Sequence, residues 1–233
     1  MGLPKIEMPL FETKLFSTGK IVKFRPFTVK EEKILLIAQE ANDVDQTLLA
    51  IRQIIGNCVY DLDVEELPMF DMEYLMLQLR AKSVNNVITF NITDPDTQKP
   101  VEIELDLDTI NLTFDDRHSK EITIKDDMHL MMRYPRINEV SLFKGYEGDE
   151  VNTLFNIMIS CIDCVVVGDT ISRMEDFTPQ EIQDFVDSFP GSVVEELKLF
   201  FETIPVLRYE AKYINANGDE KTLVLEGMET FFI

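Results

Sequence analysis

The 233-residue chain has no tryptophan, two histidines, three cysteines and nine scattered glycines. Each scarcity excludes something. Without tryptophan the commonest aromatic platform for sugars is missing. His118 and His129 stand at no metal-ligand spacing and in no triad context, so neither zinc chemistry nor a histidine base has support. The glycines form no G-x-G-x-x-G, G-x-x-x-x-G-K or G-x-S-x-G pattern, which removes phosphate loops and the nucleophile elbow. Basic residues are also short: 22 Lys+Arg against 43 Asp+Glu leave a formal charge of −21. A surface this acidic repels phosphate backbones and anionic lipid, so neither nucleic acid nor membrane is expected as a partner. No apolar run approaches the ~18 residues of a membrane span, and the best, Asn156–Gly168, is broken by Asp163. The opening MGLPKIEMPLFETK has no signal-peptide core, and Ile6 breaks the myristoylation pattern. The expectation is therefore a chain that is not exported, with reduced thiols.

What is present is a core. Apolar residues make up 45% of the chain and sixteen are Phe, too many for a disordered acidic tail. Cys58, Cys161 and Cys164 include one C-x-x-C pair. Zinc needs about four ligands, usually from two such pairs, and a redox site needs a strand–helix junction. The string ISCIDCVVV reads instead as the end of a buried helix, with plain core thiols. No metal and no cofactor is expected.

An internal repeat organises the rest. FRPFTVKEE (Phe24–Glu32) resembles MRYPRINEV (Met132–Val140), which makes Arg25 and Arg133 equivalent. Asp43–Asp61 aligns without a gap with Asp149–Val167, pairing Thr47 with Thr153 and Cys58 with Cys164. Apolar residues recur there at three- and four-residue spacing, the pattern of a helix burying one face. Asp71–Lys82 and Ser192–Thr203 read as further helices after Pro68 and Pro190, with Asp71 and Ser192 as N-caps. A strand pair follows each: Val87–Ile92 with Val101–Leu107 around TDPDTQKP, and Leu207–Ile214 with Thr222–Met228 around NANGDEK. The fold class is therefore α+β, two tandem copies of a strand pair, helices and a β-hairpin, spanning 1–112 and 120–233. Residues 1–116 carry 11 basic and 21 acidic residues, net −10; residues 117–233 carry 11 and 22, net −11. The charge belongs to both copies and not to a tail.

No constellation carries chemistry. Among 43 carboxylates some pair must be close, so proximity alone nominates no dyad. Asp94–Asp96 lacks the alternating ligands, central Gly and terminal Glu of a calcium loop and reads as a solvated turn. His129 alternates with apolar residues and reads as strand-flanking. No catalytic residue is assigned, and the chain reads as a non-enzyme. Candidate partner-binding residues are Arg25 and Arg133, for which an ion pair or helix-end contact is the competing reading. The apolar C-terminal residues Met228, Phe231, Phe232 and Ile233 join them, read either as packed against the second repeat or as a partner anchor.

The opening LPKIEMPLFETKLFSTGKIVKFRPFTVKEEKILLIA resembles the start of the small baseplate hub proteins of T-even-type contractile-tailed phages. FFETIPVLRYEAKYINANGDEKTLVLEGMETFF resembles their ending. Many members of that family carry C-x-x-C pairs in the terminal hairpin turns, whereas TDPDTQKP and NANGDEK here have no cysteine, so a metal role does not carry over. The resemblance implies a hub subunit or hub assembly factor with other hub or tail proteins as partners. It implies a location in the infected cell's cytoplasm during assembly and, for a subunit, in the virion tail baseplate. Two readings from other classes compete: a tail-associated hydrolase using metal or acidic residues, and an acidic decoy that binds basic host proteins.

Overall fold

Alternating apolar residues and turn formers give hairpins, and three-to-four spacing gives helices; their combination is a mixed α+β chain. The computed structural model describes residues 6–41, 43–137, 139 and 150–227. Contacts group the chain into two units, one built from residues before 114 and after 205, the other from those between.

The first unit opens with an antiparallel hairpin of β1 (Phe11–Lys14) and β2 (Ile21–Phe24), in which Phe11 faces Phe24. Helices α1 (Val29–Ala41), α2 (Val44–Cys58) and α3 (Met69–Ser83) follow. Asp43 caps α2, accepting from the Asp45 and Gln46 amides, which places its charge at the positive end of the helix. Strands β3 (Val87–Thr93) and β4 (Pro100–Asp106) pair as a second hairpin. The third, β10 (Val206–Ile214) with β11 (Glu220–Glu226), makes a three-stranded sheet with β5 (Asn111–Thr113). Gly218 takes the positive φ in its turn, as Asn217-Gly218 predicts. Ile51, Ile54, Ile55, Met72, Leu75, Met76, Leu77 and Leu79 are fully enclosed, so the core holds one face of α2 and α3 on all its sides.

The second unit holds a four-stranded antiparallel sheet ordered β6 (Glu121–Lys125), β7 (Met128–Met132), β8 (Ile162–Val167), β9 (Thr170–Arg173). Helix α4 (Glu150–Ser160) leads into β8, and α5 (Pro179–Asp187) and α6 (Gly191–Glu202) follow β9. Ile122, Leu130, Met158, Val165, Val193, Leu197 and Phe200 share its core.

Three local readings change. The string ISCIDCVVV is no helix end: α4 stops at Ser160, and the β-branched residues after Cys161 form β8. The capping box Thr178-Pro179-Gln180-Glu181 opens α5, a helix absent from the elements read off the sequence. Asp71 and Ser192 are not N-caps, because Pro68 and Pro190 hold those positions with extended backbone. The spatial units also cut the chain differently from 1–112 and 120–233, since hairpin β10–β11 belongs with the first.

Asp71 works instead across the unit. Fully enclosed in the first turn of α3, its carboxylate accepts from the Phe16 amide at 2.8 Å, from the Ser17 amide at 3.2 Å and from the Ser17 hydroxyl. It thereby closes the β1–β2 turn onto the helix. Asp71→Ala leaves those donors without their acceptor and should cost roughly 2–3 kcal/mol. Urea unfolding followed by circular dichroism checks this, and a loss under about 0.5 kcal/mol, the range of a neutral surface change, contradicts it.

Candidate functional site: two arginine clamps in an acidic frame

Arg25 directly follows β2. Its Nη1 donates to Pro26 O (2.9 Å) and Glu31 Oε2 (3.4 Å), and its Nη2 to Glu31 Oε1 (3.1 Å) and Asn57 O (3.1 Å). One guanidinium thus ties the end of β2 to the first turn of α1 and to a C-terminal carbonyl of α2, which lacks a partner within its helix. The Arg25 amide also donates to Cys58 O at 3.0 Å. Glu31 is 1% exposed and receives the Thr28 amide (2.9 Å) and hydroxyl (2.7 Å).

The same device recurs in the second unit. Arg133 directly follows β7 and donates from Nη1 to Tyr134 O (3.3 Å) and Glu139 Oε2 (2.9 Å). Its Nη2 reaches Glu139 Oε1 (2.7 Å) and Ser160 O (2.5 Å), the last residue of α4. The Arg133 amide donates to Cys161 O at 2.8 Å, and the Arg136 amide to Glu139 Oε2 at 2.8 Å. Strand pairing matches as well: Phe24 bridges Val59 where Met132 pairs with Ile162.

This correspondence corrects the gap-free alignment, because Cys58 matches Cys161 and not Cys164. Arg25 and its helix-end carbonyl lie 32 residues apart, Arg133 and its own 27, so the second copy of the device closes over a shorter segment. Arg25 and Arg133 therefore occupy internal ion pairs and helix-end contacts. Sequence reasoning missed Glu31 and Glu139, although each follows its arginine at the same six-residue spacing.

Burial pushes the Glu31 carboxyl upward, but bonds from Arg25 and Thr28 outweigh it and hold the pKa at about 2. For Glu139 burial again pushes up, and Arg133 and Arg136 bring the net shift below the usual carboxylate range. Both arginines are raised, chiefly by the bonds to these glutamates.

The three thiols are protonated and both histidines are hydrogen-bonded. All three thiols are free and buried. Burial pushes Cys58 and Cys161 up to about 11 and also raises Cys164, so none is a thiolate near neutral pH. His118 stacks against Tyr134 and Phe200, with Nδ1 2.8 Å from Thr203 Oγ1 and Nε2 3.0 Å from the Tyr134 hydroxyl. Thr203 spends its proton on Leu199 O at 2.6 Å, so it accepts from Nδ1–H, and Nε2 accepts from Tyr134. Burial, then Lys120, lowers the His118 pKa and favours this neutral state. His129 sits in β7, 3.2 Å from both Thr123 Oγ1 and Glu121 Oε1. Asp94 is not solvated: fully enclosed, it accepts from the Thr97 amide and hydroxyl and from Tyr213 Oη at 2.8 Å. The bond from Thr97 leads in lowering its pKa despite desolvation, so the turn residue closes two hairpins together. Among the described residues no three His, Cys, Asp or Glu side chains converge as a metal site, and no helix is long and apolar enough to cross a membrane. Met228, Phe231, Phe232 and Ile233 lie outside the described residues.

Removing one partner of a buried pair strands the other charge, so Arg25→Met should destabilise the first unit by roughly 3–5 kcal/mol. Arg133→Met should act in the same direction on the second. Amide hydrogen exchange separates the two effects, and unchanged protection near the mutated clamp contradicts the role. The pH dependence follows from Glu31, whose folded pKa of about 2 lies below the ordinary 4.5. Its stabilisation is fully present above the unfolded value and disappears as pH falls through about 2. Denaturant midpoints should therefore drop from pH 5 downward, and Glu31→Gln should flatten that slope. An equally steep drop in Glu31→Gln contradicts the assignment.

Neither a curated protein nor a solved structure matches the chain. A family model described as T4 bacteriophage base plate protein matches residues 8–233, which contain both clamps and every strand from β1 to β11. The chain belongs to the T4 bacteriophage base plate protein family.

Proposed function

We propose that this chain is a component of the baseplate hub or a factor that assembles it, acting by protein–protein contact and not by catalysis. As a baseplate protein it works among other baseplate and tail proteins. The observation that carries the reading is the family match over nearly the whole chain, and the hub resemblance of its two ends narrows it. Protonated thiols and a fully bonded His118 agree with a role without catalysis.

Two finer readings go with it. The recurring clamp supports an internal duplication, with 1–112 and 120–233 as copies of one ancestral unit. In the terminal residues Met228, Phe231, Phe232 and Ile233, apolar character supports an anchor for a partner. The acidic surface would keep such a chain soluble and guide it to basic patches on other tail proteins.

Quantitative mass spectrometry of purified virions and of assembly intermediates tests the role. The expected result is the chain in hub-containing intermediates, and in virions if it is a subunit. A chain shortened to residues 1–227 should stay folded and be recovered there in smaller amount. Absence from both fractions, with complete baseplates formed after gene deletion, contradicts the proposal.

A further inference from the structure

In the second unit, β8, β9 and α5 enclose an apolar cavity of about 320 Å³ whose lining includes Val165, Val167, Met174, Phe177, Ile182 and Phe185. Its rim is open to solvent, with Val167 39% and Phe177 43% exposed. The volume lies at the low end of ligand pockets, about 300–1,000 Å³, which suits one or two large apolar side chains. Strand register explains the lining: Val167 and Val165 lie on one face of β8, Ser172 of β9 pairs with Val165, and Met128 of β7 pairs with Val167. Beside the cavity β9 is the last strand of the sheet order, so among the described residues its outer edge has no partner strand.

The surrounding charge is one-sided. Between Ile162 and Asp187 there are seven acidic residues and one basic residue, Arg173. Asp127, Asp169, Glu175 and Asp176 are exposed beside the lining residues Met128, Val167, Met174 and Phe177, and Glu181 itself lines the cavity. An apolar slot with an acidic rim is complementary to an apolar side chain flanked by cations. A second copy of this chain is a poor occupant, because each copy carries −21.

We propose that this groove is a docking site for a basic segment of another baseplate protein. One or two large apolar residues of that segment fill the cavity, and neighbouring Lys or Arg residues meet Asp169, Glu175 and Asp176. The identity of the occupant as a baseplate protein rests on the function proposed above; the groove's chemistry does not.

The test uses the full chain and a short fluorescein-labelled peptide in which lysine alternates with leucine and phenylalanine. A second peptide carries glutamate in place of lysine. Binding is followed by fluorescence anisotropy, with sedimentation to detect self-association. Two variants probe the site: Val167→Arg at the exposed rim, and the triple surface reversal Asp169→Lys, Glu175→Lys, Asp176→Lys. Circular dichroism confirms that each variant folds. The wild-type chain should bind the lysine peptide, more weakly as salt rises, and bind the glutamate peptide poorly. Both variants should lose roughly tenfold or more in affinity, about 1.4 kcal/mol per tenfold. Equal binding of both peptides, or unchanged binding by both variants, overturns the proposal. So does dimerisation of the wild-type chain that Val167→Arg abolishes, which would make the groove a self-contact. Incorporation of both chains into baseplates distinguishes the two readings. If wild type and Val167→Arg enter baseplates equally, the groove proposal falls and the baseplate reading stands. If lysine-peptide binding behaves as expected but wild type is absent from baseplates and intermediates, the baseplate reading and the occupant's origin fall together.

Discussion

Each unit depends on one arginine–glutamate pair held largely away from solvent, with Glu31 enclosed and Arg25, Arg133 and Glu139 partly buried. The pair gathers three chain ends that would otherwise leave polar groups unsatisfied: the end of a β-hairpin strand, the residues just beyond it, and the C-terminus of a later helix. Arg25 does this for β2, α1 and α2, and Arg133 does it for β7, Glu139 and α4. Burying two charges is costly, and the geometry offsets that cost. Each of the two terminal guanidinium nitrogens donates to one carboxylate oxygen, and Thr28 or the Arg136 amide occupies a further lone pair.

Other parts follow the same rule, in which a carboxylate is enclosed only where donors converge on it. Asp71 closes the β1–β2 turn and Asp94 fastens one hairpin turn to Tyr213 of another strand. Most other acidic residues among those described are exposed. The charge of −21 therefore contains a small structural set and a large solvated set. The solvated set sets the electrostatic character that any partner of this baseplate protein meets.

Sequence made the hairpins legible because alternation and turn chemistry are local. VITFNI, VEIELDL and the Asn217-Gly218 turn need no tertiary information, and the strands form where expected. Helices α2 and α3 are legible through spacing and through Pro68. The segment after Ser160 was not, because an apolar run fits a buried helix and a buried strand equally until a partner decides. That partner is β7, whose pairing makes Ile162–Val167 a strand. Arg25 and Arg133 could be paired by resemblance, but their glutamates emerge only when strand and helix meet. The enclosure of Asp94 was invisible for a similar reason, since Tyr213 is 119 residues away. The apolar cavity is assembled from three strands and a helix, and the sequence shows only its acidic neighbourhood.

The central claim is that both clamps bind their units through direct arginine–glutamate coupling. Double-mutant cycles measure that coupling: Arg25→Met with Glu31→Gln, and Arg133→Met with Glu139→Gln, each read by denaturant unfolding and hydrogen exchange in its own unit. The account predicts favourable coupling of roughly 2 kcal/mol or more in both cycles, with no coupling between Arg25 and Glu139. Additive effects within about 0.5 kcal/mol in either matched pair would contradict it.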